Sequence, residues 1–215
     1  MAPEKARYYD GRPYACWIDP LLKPIRNAIS CLIEPGSVAV DIGCGTGALA
    51  MQLSGRCEKV IGIDRSRLMI RQARRISAER GIDNLRLICS DALSALDRLE
   101  EPRVDCAVFS MMLHEIAPES RLELTLRARG IAGRILFADY RIPLRHPLSV
   151  PILIVERMAG REHFQNFLNF SRTRGLMSLI EAANLTVSLR KTIFGGNVCI
   201  LKTRSPDIEN RSSSV

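Results

Sequence analysis

From about residue 35 to residue 140, short apolar runs rich in β-branched residues alternate with stretches whose apolar positions recur every three or four residues. Ser37–Ile42 (SVAVDI) follows the turn pair Pro35-Gly36 and reads as a first strand. A glycine-rich turn then opens a helix that continues through Ala48 to Ser54, and Lys59–Ile63 (KVIGI), ending at Asp64, is a second strand. Ser66 is placed to cap the next helix, in which Leu68, Met69, Ala73 and Ile76 share a face and Gly81 marks the end. Leu85–Cys89 is a third strand, followed by Ser90-Asp91 and a short helix to about Leu99; Val104–Phe109 (VDCAVF) is the fourth. Pro118 suits the first turn of a helix over Glu119–Arg129, which Gly130 is expected to close, and Arg134–Ala138 is the fifth strand.

After Asp139 the rhythm breaks. Residues 141–170 hold three prolines and then an aromatic-rich helical stretch, ERMAGREHFQNFLNF. A helix over Arg174–Ala183 leads to a strand, Leu185–Ile193, and Gly195-Gly196-Asn197 turns the chain back into Val198–Lys202 as an antiparallel hairpin. Five alternating strands, an insert and a terminal hairpin make an α/β, Rossmann-like doubly wound sheet of seven strands, mostly parallel. Residues 205–215 (SPDIENRSSSV) have the polar composition of a flexible tail.

Composition changes this picture little. The 215 residues are 47% hydrophobic and 25% charged, which fits one globular domain and excludes a collagenous or largely disordered chain. The N-terminus shows no apolar core of a secretory signal, and no apolar run approaches a membrane span, so a cytoplasmic protein is expected. Net charge is +8, but the densest basic cluster (Arg65, Arg67, Arg71, Arg74, Arg75) falls on one helix and reads as a solvated face, not a nucleic-acid patch. Transient contact with a membrane surface stays open. Seven cysteines without a CxxC pair, and three histidines, give no zinc signature; the thiols are expected to be reduced and mostly in the core.

Chemistry concentrates in Val38–Gly47 (VAVDIGCGTG). Gly43, Gly45 and Gly47 follow a strand and open a helix, where missing Cβ atoms let a ligand approach the backbone and helix N–H groups face it. Asp64, at the end of the neighbouring strand, suits a two-point contact to a ribose diol. Gly43, Gly45 and Ala48 also satisfy the dinucleotide fingerprint, which leaves NAD open by pattern alone. Three features pull away from it. Asp41 puts a carboxylate where a cation is better tolerated than a pyrophosphate, no tyrosine is followed four residues later by lysine, and no separate substrate domain follows.

With VIGID, CSDA (Cys89–Ala92) and VDCAVFSMMLHEI (Val104–Ile116) after DIGCGTG, the chain resembles class I S-adenosylmethionine-dependent methyltransferases over residues 35–140. The likeness is closest to the small-molecule group that includes the ubiquinone and menaquinone methylases, although their fuller motifs are not found. The resemblance implies S-adenosylmethionine as cofactor, a helical N-terminal cap over residues 1–34, a methyltransferase domain over 35–204 and an acceptor lid at 141–171. It implies that Asp41 and the turn Gly43, Cys44, Gly45 and Gly47 cradle the methionine part. Asp64 would hold the ribose, Arg65 and Met69 would flank the adenine, and Asp91 and Ala92 would contact its edge. Ser110 and Met111 would line the methyl-transfer site.

A sulfonium is an activated donor, so the protein must mainly align and desolvate the reactants, with a base for a weak nucleophile. His114, His163 and Tyr9 are the candidate catalytic residues, Tyr8 and Tyr14 accompany Tyr9, and Tyr140 faces either the pocket or a packed loop. Phe164, Phe167 and Phe170 are expected to be core. Asp139 and Glu115 read as carboxylates satisfied by solvent or a helix N-terminus, and a metal-independent enzyme is expected. The expected function is methyl transfer to a small, lipophilic or aromatic acceptor; the alternatives are a nucleic-acid or protein methyltransferase and a non-catalytic cofactor-binding protein. SMML, where amino-group methylases carry an Asn/Asp-Pro-Pro-aromatic motif, counts against the first alternative.

Overall fold

A computed structural model describes residues 15–16, 18–101 and 104–204. Helix α1 (Lys23–Ser30) is followed by β1 (Val38–Ile42), α2 (Ala48–Ser54), β2 (Lys59–Asp64), α3 (Arg67–Glu79), β3 (Leu85–Cys89), α4 (Ala92–Asp97) and β4 (Val104–Ser110). A 3-10 turn (Leu113–Glu115) precedes α5 (Pro118–Ile131) and β5 (Ala132–Tyr140). Then come α6 (Ser149–Met158), α7 (Arg161–Arg172), α8 (Leu176–Ala182), β6 (Thr186–Ile193) and β7 (Val198–Arg204). The seven strands form one sheet in the order β3-β2-β1-β4-β5-β7-β6. The pairs from β3 through β5 are parallel, whereas β7 is antiparallel to both β5 and β6. Strand order reverses between β1 and β4, which is where ligands bind in open α/β sheets.

Burial follows from position in the sheet. All five residues of β1 are buried, as expected of a central parallel strand covered on both faces, whereas edge strand β6 is almost wholly exposed. The Ser66 hydroxyl accepts the Met69 N–H and starts α3 as its sequence suggests. The basic face of α3 is solvated: Arg75 pairs with Glu79 on the same helix, and Arg74 donates to the carbonyl of Leu87. Four cysteines (Cys44, Cys57, Cys106, Cys199) are buried, and all those described are free thiols. Among the described residues, no helix is long and apolar enough to cross a membrane.

Three expectations are corrected. Gly130 does not close α5, which runs to Ile131 and passes directly into β5. The fifth strand extends through Tyr140 because β7 pairs with it as far as Tyr140↔Val198, so Asp139 and Tyr140 are strand residues with fixed orientation. The helix expected from Arg174 starts only at Leu176, because Arg174 (φ +65°) and Gly175 (φ +59°) adopt left-handed backbone that breaks α7 from α8. The tyrosines Tyr8, Tyr9 and Tyr14 and the tail 205–215 lie outside the described residues, as do residues 1–14 and 17 of the expected cap.

Residues 141–171 divide into an outer and an inner part. The outer helix α6 exposes Val150, Ile154 and Met158, but α7 buries Phe167 and Phe170 in the main core. Phe164 packs against that core from a half-buried place. Deleting the whole insert would therefore remove core as well as wall.

Candidate functional site

The turn after β1 is built by its glycines. Gly43 has φ +74° and a Cβ there would stand 2.9 Å from the Met112 side chain; Gly47 caps α2 at φ +75°, where a Cβ would press on Ala73 of α3. Neither place accepts a larger residue without strain. The turn is tied to β2: the Gly43 and Cys44 N–H groups donate to the Ile63 carbonyl, and the Gly45 N–H donates to Asp64 Oδ2 at 2.9 Å. Asp64 Oδ1 in turn accepts the Ser66 N–H at 2.8 Å, so both carboxylate oxygens are oriented. Asp41 is buried at 1% exposure, and its Oδ2 has no hydrogen-bond partner. Burial, reinforced by the neighbouring Asp64 charge, pushes the Asp41 pKa up to about 7.

A cavity of about 450 Å³ runs along this turn. At one end it is lined by Asp41, Gly43, Cys44, Gly45, Asp64 and Met69, and further along by Ser110 and Met111. Met111 is a non-glycine residue at φ +52°, a strained conformation at the end of β4. Gly47, Arg65, Asp91 and Ala92 are not among the lining residues; Asp91 instead caps α4 through the Ser94 N–H. The segment before α1 contributes Ile18, Asp19 and Leu21, which the sequence reading missed. Burial raises the Asp19 pKa, outweighing a hydrogen bond from Thr46 and the charge of Arg26.

The far end of the cavity combines His114, Glu115, Tyr140 and Glu156 with an apolar wall of Leu148, Ile152, Val155 and Phe194. His114 Nδ1 lies 2.7 Å from Asp139 Oδ1, and Asp139 Oδ2 accepts the Leu113 and His114 N–H groups. Asp139 is thus buried and satisfied by the N-terminus of the 3-10 turn, the second of the two expectations for it, and not by solvent. Glu156 is 1% exposed; one oxygen accepts the Tyr140 hydroxyl at 2.7 Å and the other lies 2.5 Å from His163 Nε2. His163 does not line the cavity but stands behind Glu156, with Nδ1 3.3 Å from Glu115 Oε2.

Burial alone would lower the His114 pKa, but Asp139 and Glu156, with Glu115 behind them, outweigh it and raise it to about 9. In His163 burial is likewise overcome by Glu115 and Glu156. For Glu156 burial works upward, yet the two imidazoles and Tyr140 hold its pKa below the usual carboxylate value.

Arg121 of α5 ties this end together. It is buried, donating from Nε to the Leu113 carbonyl, from Nη1 to Asn169 Oδ1 and from Nη2 to the Asn166 carbonyl, with its guanidinium over Phe170. Arg121→Ala orphans those acceptors and is expected to cost about 3 kcal/mol, a fall in Tm of roughly 6–12 °C. Thermal unfolding measures it, and a change below about 1 °C would mean that α7 and the 3-10 turn hold without it.

A family profile described as a methyltransferase domain matches residues 39–130. Over 92 residues the chain is 40% identical to a probable cobalt-precorrin-6B C(15)-methyltransferase (decarboxylating) of Methanothermobacter thermautotrophicus, covering 41% of this chain and 47% of that one. An uncharacterized RNA methyltransferase of Thermosynechococcus vestitus is 32% identical over 126 residues, 52% of this chain and 28% of the relative. The chain thus spans about half or less of the length of these curated relatives. Among solved structures, magnesium protoporphyrin IX methyltransferase of Synechocystis PCC 6803 with bound S-adenosylhomocysteine aligns with a TM-score of 0.66 at 16% identity, over 92% of this chain and 97% of that one. At that identity the likeness is one of fold.

Proposed function

The chain carries a class I S-adenosylmethionine-dependent methyltransferase domain, and from that premise we propose that it transfers a methyl group to a small, largely apolar acceptor. One observation carries the reading: a single cavity connects the glycine turn, Asp41 and Asp64 with a polar cluster at His114 and Glu156 under an apolar wall. The donor set suits the cofactor. Asp41 offers an unpartnered carboxylate oxygen to a cation, the left-handed glycines leave the backbone bare, and Asp64 is oriented by two N–H groups at the diol position.

When bound, the cofactor would supply an activated methyl group on a sulfonium sulfur, held by Asp41, the glycine turn and Asp64. The chain's own part is to bind, orient and exclude water. Met111 and Ser110 line the cavity at the end of β4, between the strands that carry Asp41 and Tyr140, where the two reactants would meet. Leu148, Ile152, Val155 and Phe194 would hold an apolar acceptor body and keep water out. Of the candidate catalytic residues, His114 lines the acceptor end and would face the reacting atom, with Asp139 fixing its ring at Nδ1. His163 would act through Glu156 as a positioning residue. An acceptor of this shape favours a small molecule over a nucleic-acid strand, whose phosphates the apolar wall would not complement.

Calorimetric titration with S-adenosylhomocysteine, NAD and NADP tests the reading. Saturable binding of the first alone is expected, with transfer of a labelled methyl group to small aromatic or lipophilic acceptors. Nicotinamide binding in its place would overturn it.

A further inference from the structure

We propose that His114, Glu156 and His163 bind a divalent transition-metal ion at the acceptor end of the cavity. Among the described residues these three each offer a ligand atom, all within 4.8 Å of one another, and all three side chains are buried. The pairs facing Glu156 Oε2 are His114 Nε2 at 3.5 Å and His163 Nε2 at 2.5 Å. Bonds of about 2.1 Å put neighbouring donors about 3.0–3.4 Å apart in octahedral or tetrahedral geometry. The first pair has that spacing already, and the second reaches it by opening less than about 1 Å.

The surroundings are those a metal site needs. A histidine ligand is usually held by a carboxylate at its other ring nitrogen, which fixes the tautomer and makes the ligand more basic. Here both histidines have that partner: Asp139 Oδ1 is 2.7 Å from Nδ1 of His114, and Glu115 Oε2 is 3.3 Å from Nδ1 of His163. The third ligand is braced as well, because the Tyr140 hydroxyl donates to the other oxygen of Glu156. Three carboxylates, Asp139, Glu115 and Glu156, converge here with one buried guanidinium, Arg121, close by, and a divalent cation would replace the two imidazolium protons that balance them in its absence. Two imidazoles and one carboxylate suit zinc or ferrous iron and leave coordination positions open. Because His114 and Glu156 also line the cavity, those positions are within reach of an acceptor oxygen, nitrogen or sulfur. There the ion would hold the acceptor atom and lower the pKa of its proton. Binding of the ion stands apart from the methyl-transfer reading; only its use on the acceptor rests on it.

The test is to strip the full chain with a chelator, load it separately with Zn²⁺ and Co²⁺, desalt it and count metal by mass spectrometry. About one ion per chain is expected, with the weak visible bands of Co²⁺ bound to nitrogen and oxygen. Glu156→Gln and His163→Gln are each expected to weaken Zn²⁺ binding at least ~100-fold, and Asp139→Asn by about 10–100-fold as a positioning effect. Substoichiometric metal in the wild type, or equal binding in the Glu156 and His163 variants, would leave a purely hydrogen-bonded cluster and overturn the proposal. Strong near-ultraviolet sulfur-to-cobalt absorption would overturn it too, by assigning the ion to cysteines. The wild-type cobalt spectrum decides even if a variant fails to fold, and none of these readouts depends on methyl transfer.

Discussion

Asp64→Ala is expected to weaken S-adenosylhomocysteine binding by about two orders of magnitude, roughly 3 kcal/mol, from the loss of two charge-assisted hydrogen bonds to the ribose hydroxyls. The side chain sits at the end of β2 beside the glycine turn, and its oxygens already accept the Gly45 and Ser66 N–H groups. The substitution therefore also loosens the turn, and a bare loss of affinity would not separate the two effects. A ligand lacking the ribose 2′-hydroxyl does. Wild-type protein should bind that analogue about tenfold or more weakly than S-adenosylhomocysteine, and in Asp64→Ala the difference should vanish. If calorimetry finds the gap unchanged in the variant, Asp64 is a brace of the turn and not a ribose ligand.

What the sequence made legible follows from which forces are local. The strands β1, β2 and β4 read clearly because a parallel strand covered on both faces is a continuous apolar run, and the positive-φ turn after β1 announces itself because only glycine takes that backbone cheaply. Asp64 was legible too, since its position depends only on β2 pairing beside β1. The far end of the cavity was legible only in part: His114 and His163 stood out, but their grouping with Asp139 and Glu156 did not. His114, Asp139, Glu156 and His163 come from a 3-10 turn, the end of β5 and two successive helices, and only tertiary packing brings them together. Glu156 ends an apolar run (ILIVE) in which nothing marks it as buried, and the sequence leaves Asp139 between solvent and a helix N-terminus until β7 extends β5 around it. The aromatic spacing of the insert was legible as core, and Phe167 and Phe170 pack there in α7, whereas nothing in the pattern separates α7 from α6, which stays outside. One residue could have been caught, because Arg121 shares the i, i+3, i+4, i+7 face of α5 with Leu124, Thr125 and Ala128, a pattern that signals a buried cation with carbonyl partners.

Asp41→Asn is expected to make the ligand-free protein more stable and the cofactor site worse, with a pH dependence that identifies the cause. Folding raises the Asp41 pKa from 3.8 to about 7, so this group favours the folded state at low pH, and that contribution is lost as pH climbs from about 4 to about 7. By pH 8 the buried charge costs about 4 kcal/mol relative to the unfolded chain. An asparagine carries no charge, but its amide meets the same unpartnered surroundings as Oδ2, a penalty of about 1–3 kcal/mol. The net gain at pH 8 is then about 2 kcal/mol, a rise in Tm of roughly 4–8 °C; it vanishes near pH ~5 and reverses toward pH ~4, where protonation removes most of the wild-type cost. Cofactor binding should move oppositely. A cation beside Asp41 favours its ionised form, so wild-type affinity for S-adenosylhomocysteine should rise with pH below about 7, at most about tenfold per unit, and level off above it. The variant should bind at least about tenfold more weakly at pH 8, with a flat profile over the same range. Thermal scans and calorimetry at pH 5, 6, 7 and 8 measure both halves. Parallel pH profiles for wild type and variant would show that the cation lies elsewhere and that Asp41 is only a strained member of β1.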